Sequence, residues 1–143
     1  MNKKPPIIDK SHTIYKKNTN PLVWSSLTFS TNMIHAFYSG LYTYSICFAF
    51  LTITSIIVHT EYNIYTNIID KFAIAIIVIY GGYRVWSKID GTLRTSLLIF
   101  LCVLTFCISV GLYIYKSGVN DDTLYHIMMH YISSLGHHFI ILL

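Results

Sequence analysis

Apolar residues in this chain run on far longer than a soluble core helix requires. No charged residue lies between Lys17 and Glu61, between Arg94 and Lys116, or between Asp122 and Leu143. A helix that crosses a hydrocarbon core needs about 20 mainly apolar residues, and each of these stretches supplies them. The pattern predicts an all-α integral membrane protein, a bundle of four to five transmembrane helices with five the preferred count.

Four strong spans are expected near 41–59, 64–86, 93–115 and 123–143. Before them, the uncharged segment near 21–39 is rich in Ser, Thr and Asn; it reads either as a short, weak first span ending at a Ser39-Gly40 turn or as a loop. Gly81-Gly82 marks the far end of the 64–86 span and reads as a break or a close-packing site. Asn120, Asp121, Asp122 and Thr123 form an acidic and capping cluster suited to the N-terminus of the last helix. Residues 1–20 are polar, carry Pro5 and Pro6 and show no apolar periodicity, so they read as a flexible tail ahead of a 21–143 bundle.

Charge refines this picture. The net charge is +4, but five of the ten basic residues, Lys3, Lys4, Lys10, Lys16 and Lys17, sit in the tail. That bias is a topology signal and places the tail in the cytosol; it gives no reason to expect a nucleic-acid partner. With five spans, Lys71 and Lys116 join the tail and the Arg84 to Arg94 loop lies opposite; with four, that loop joins the tail. Cys47, Cys102 and Cys107 all fall within apolar runs and form no CxxC pair, which points to small packing residues rather than a disulfide framework or a thiolate zinc site.

Ionisable side chains are costly in a bilayer, where they usually face the bundle interior and mark function. His59 closes one span, Asp70 opens the next, and His126 and His130 occupy the first turns of the last. Consecutive helices run antiparallel, so all four share one membrane face. His126 and His130 are four apart and project from one side, about 5.4 Å along the axis, a separation that two ligands of one metal can share. Ser55 stands one turn deeper than His59 on the same stripe. Three His with a fourth position left for water is the arrangement of a catalytic zinc, and a nearby carboxylate can take the proton from that water.

Plainer readings stand beside this one. His126 and His130 also fit two interfacial histidines hydrogen-bonded to water, Ser55 a helix-packing hydroxyl, and Asp70 a partner for Lys71 or a charge at a helix N-terminus. His35, His137 and His138 read as packing and structural residues, His137 lying roughly 16 Å along the axis from His126.

The set "SIIVH" (Ser55, His59), Asp70 and "HIMMH" (His126, His130) resembles the S-x3-H, D, H-x3-H signature of the CREST superfamily of membrane hydrolases, which groups alkaline ceramidases, progestin and adipoQ receptors and the Per-type proteins. "LYHIMMHYISSLGHH" is similar to the last span of that family. The resemblance covers roughly 41–89 and 123–143. It implies zinc held by His59, His126 and His130, with Asp70 and Ser55 holding and polarising the water on the metal. It further implies hydrolysis of a lipid amide or ester within the membrane. Members of the family usually have seven spans, so this chain would be a shortened one, and a second copy is the protein partner that fits the place of the absent spans. No acidic N-terminal cluster like the calcium site of alkaline ceramidases is present. The alternative is a non-catalytic membrane protein that keeps the fold as a structural or interaction module.

Overall fold

The computed structural model describes residues 19–61, 63–116 and 123–143. The expectations for the tail before residue 19 and for Asn120 to Asp122 lie outside the described residues. Six helices follow in order: α1 (Thr19–Ser26), α2 (Thr28–Tyr38), α3 (Tyr42–Thr60), α4 (Ile64–Ser87), α5 (Leu93–Lys116) and α6 (Thr123–Ile141). No strand occurs among the described residues, and the all-α class holds. Three helices are long and apolar enough to cross a membrane: α3, α4 and Leu93–Tyr115 of α5. α6 equals α3 in length but carries four histidines.

The weak first segment is helical rather than a loop. α1 and α2 are separated by Leu27 alone, whose backbone is still right-handed (φ −62°, ψ −16°). The break has a local cause, because both Ser25 and Ser26 donate their hydroxyls back to the Leu22 carbonyl, at 2.9 and 2.8 Å. Such back-bonding competes with the backbone ladder and bends helices.

Hydrogen bonds between helices set the topology. Ser26 meets Ser55, while the Ser45 hydroxyl donates to the Met33 carbonyl, so α1 and α2 run antiparallel to α3. Ser25 meets His130 and Asn32 meets Ser134, so they run parallel to α6. α4 packs on α3, and α5 on α6. α3 and α6 meet chiefly through side chains: Tyr44 with His137 at one end, His59 with His126 at the other.

This bundle is polar within and apolar without. Ser25, Ser26, Asn32, Ser55 and Ser134 are buried beside Phe29, Tyr44, Phe48 and Ile77, whereas Ile68, Phe72 and Ile79 of α4 and Leu97, Phe100 and Phe106 of α5 are exposed. Lipid tails are as apolar as Leu, so helices in a membrane associate through small residues and interhelical hydrogen bonds. The outer faces suit lipid for the same reason.

Two turns and two close contacts lock the helices in register. Gly40 takes φ +74° after α2, Leu41 N–H donates to the Ala36 carbonyl at 2.8 Å, and Gly40 N–H donates to Phe37 at 3.0 Å. That is a Schellman closure, which needs a left-handed residue at Gly40. Asn63 opens α4 with a capping box, its side chain accepting from Tyr65 and Thr66 N–H while Thr66 Oγ1 accepts from Asn63 N–H. Gly81-Gly82 lies near the far end of α4 without breaking it, and the helix continues to Ser87. The reason is packing, since a Cβ on Gly81 would lie 2.9 Å from the Tyr44 hydroxyl and 3.1 Å from Ile140. Gly136 does the same for α6 against α5, its absent Cβ falling 2.5 Å from Thr105 Oγ1.

Candidate metal centre

Three features converge at the end of the bundle where α3 finishes and α4 and α6 begin. His59 lies in the last turn of α3, and Asn63 caps the start of α4 four residues later. His126 and His130 follow one another on α6. Their one-turn spacing puts both rings on the side that faces α3. The ring centroids lie 4.8 Å apart for His59 and His126, 5.4 Å for His59 and His130, and 4.7 Å for His126 and His130.

One nitrogen from each ring lies within 4.8 Å of the other two. A tetrahedral zinc with Zn–N bonds of about 2.0–2.1 Å needs its nitrogens roughly 3.3 Å apart. The widest pair therefore has to close by about 1.5 Å at most, which ring rotation can supply. The donor set is three imidazoles from two helices, and imidazole suits zinc, copper, iron and nickel. His130 is buried, while His59 and His126 are partly exposed, with Nε2 of His59 fully enclosed.

α1 supplies the remaining wall. Ser25 Oγ lies 2.8 Å from His130 Nδ1, and Phe29 of α2 packs edge-on against the His130 ring at 5.4 Å. Ser55, expected on the His59 stripe, is almost wholly buried, and its hydroxyl sits 3.0 Å from Ser26 Oγ. The Ser26 proton is already given to the Leu22 carbonyl. Ser55 is therefore the donor in that pair, and its own lone pairs remain the groups it can offer to a water.

Asp70 is not brought into the histidine group. Its carboxylate accepts from Thr54 Oγ1 at 3.1 Å across the α3–α4 contact. Thr54 precedes Ser55 by one residue, and neighbouring positions on a helix point about 100° apart. Asp70, held at Thr54, and Ser55 thus lie on different faces of α3. Thr54 and Asp70 also lie about 7.5 Å along α3 from the level of His59.

The other histidines bind helices together at the opposite end. Tyr44 OH and His137 Nδ1 are 2.6 Å apart; His138 meets Thr31 Oγ1 at 3.0 Å and His35 Nδ1 at 2.9 Å. Between the two ends, Asn32 and Ser134 form a reciprocal pair, Asn32 Nδ2 donating to the Ser134 carbonyl and Ser134 Oγ to Asn32 Oδ1. Ser25, Ser26, Asn32 and Ser134 were not singled out by sequence reasoning. For the first three the signal was the Ser, Thr and Asn content of an otherwise apolar 21–39 segment, which marks a polar stripe without naming the helix it faces.

The chain matches no family model, no curated protein and no solved structure. The reading of the centre therefore rests on its own side chains.

Proposed function

We propose that this protein is a zinc-dependent hydrolase of the CREST type, acting within the membrane on a lipid amide or ester. The observation that carries the reading is the meeting of His59, His126 and His130 from α3 and α6, with one nitrogen of each within 4.8 Å of the others. Zinc held by three protein ligands acts as a Lewis acid and activates water for attack on a carbonyl. The residues of the chain divide the remaining work. The three imidazoles hold the metal, and Ser55 accepts a hydrogen bond from the attacking water and so aims it. Asp70 takes the proton, for which its side chain has to leave Thr54. The apolar outer faces suit contact with a lipid substrate, and with five spans and a cytosolic tail this end of the bundle would lie at the cytosolic surface.

A second reading draws on Asp70. A carboxylate held by Thr54 outside the histidine group leaves the centre without a base in place. That arrangement suits a metal clip that fastens α6 to α3 in a non-catalytic membrane protein. Metal analysis of the purified protein tests both readings together, and turnover of lipid amides and esters by the zinc-loaded protein separates them. Bound zinc with no turnover on any such lipid leaves the clip.

A further inference from the structure

The Ser25-Ser26 pair sits at the break between α1 and α2, and each hydroxyl there makes two contacts. Ser25 Oγ is 2.9 Å from the Leu22 carbonyl and 2.8 Å from His130 Nδ1. Ser26 Oγ is 2.8 Å from the same carbonyl and 3.0 Å from Ser55 Oγ. A hydroxyl has one proton to give and lone pairs with which to accept. A carbonyl has no proton, so in both contacts with Leu22 the serine is the donor.

For Ser25 this decides the histidine. Its proton is on the Leu22 carbonyl, so the short contact with His130 is a hydrogen bond only if Nδ1 carries the hydrogen. In the neutral ring Nε2 then holds the lone pair, the electron pair that a metal takes. Ser25 and Ser26 are both buried, Ser25 at 1% and Ser26 at 0% exposure. Water does not compete at that level of enclosure, and the other tautomer would need the Ser25 proton for Nδ1, taking it from the Leu22 carbonyl.

We propose that Ser25 is a positioning residue for the centre: it fixes the tautomer and the ring plane of His130 so that Nε2 is the ligating atom. The proposal rests on the metal reading given above. Metal-ligating histidines commonly give their second N–H to such a partner, which sets ring orientation and raises ligand basicity. Here the partner comes from a helix that supplies no ligand of its own. Ser26 holds Ser55 through the Leu22 carbonyl and makes a built-in control, because it does not touch the histidines.

The test uses the full chain in detergent with ring-nitrogen-labelled histidine. NMR of the metal-free protein reads which nitrogen of His130 is protonated, the resonance being identified by its loss in His130→Ala. Zinc affinity is measured by competition with a chelating dye. Wild type is expected to show the proton on Nδ1. Ser25→Ala should lose that preference and lower zinc affinity about 10- to 100-fold. Ser25→Thr, which keeps the hydroxyl, should restore both, and Ser26→Ala should leave both as in wild type. Wild type that binds zinc while Ser25→Ala binds it as tightly overturns this inference alone. A proton on Nε2 of His130 in wild type overturns it as well. Failure of wild type to take up zinc, with His130 in the expected tautomer, removes the metal reading and this inference with it.

Discussion

Replacement of one histidine at a time gives the sharpest test of the centre. Apparent binding energies of four-ligand structural zinc sites are about 10–16 kcal/mol, or roughly 3–4 kcal/mol per ligand. Losing one of three ligands should therefore weaken zinc by about 10²- to 10³-fold. His59→Ala, His126→Ala and His130→Ala are all expected to show this loss. Stability should separate them. His130 is 5% exposed and bonded to Ser25, so its removal opens a cavity under Phe29 and takes away that bond. His59 and His126 are partly exposed and lose less. A destabilisation of about 1–3 kcal/mol is expected for His130→Ala alone. His138→Ala, at the other end of the bundle, serves as the control that keeps its metal. The assay is elemental analysis of detergent-purified protein beside dye competition and thermal unfolding, starting from about one zinc per chain in wild type. Full zinc occupancy in all three variants would refute the ligand set, and equal losses in His138→Ala would show that the variants act through the fold.

Four further outcomes are expected. Asp70→Asn keeps an oxygen for Thr54 to donate to, so fold and zinc should remain while hydrolysis is lost; undiminished turnover would take Asp70 out of the mechanism. Ser55→Ala should keep zinc and lose about 10-fold in rate, the worth of one hydrogen bond to the attacking water, whereas a packing role alone predicts only about 0.6 kcal/mol of stability and no selective loss of rate. Gly136→Ala should destabilise the protein by about 1–3 kcal/mol by pressing on Thr105, and Thr105→Ala in the same chain should relieve part of it; additive losses in thermal unfolding would count against the contact. Tags at Met1 and Leu143 should lie on opposite sides of the membrane, with Met1 in the cytosol, and protection of both from protease outside intact cells would reduce the spans to four.

The helical elements were legible because hydrophobic run length is a local property. The stretches expected near 41–59, 64–86 and 93–115 became Tyr42–Thr60, Ile64–Ser87 and Leu93–Lys116. The first segment was harder. Its serines and threonines lower its apolar signal, yet they bond to backbone carbonyls of their own helix and to neighbouring helices, as Ser26 does to Leu22 and Ser55. Gly81-Gly82 left a break and a close-packing site both open, because a glycine pair carries the same letter whether it ends a helix or lets Tyr44 approach one.

For the centre, the sequence by itself determined which residues share an end of the bundle. Helix periodicity aligned His126 with His130, and the alternation of antiparallel helices put His59 at their level. Only the tertiary structure decided which faces turn toward one another. Rotation of each helix about its axis is set by packing against partners far away in the chain, and no local pattern encodes it. That rotation brings the three imidazoles together, sends Asp70 to Thr54, and places Ser25 of the first segment 2.8 Å from His130, 105 positions along the chain.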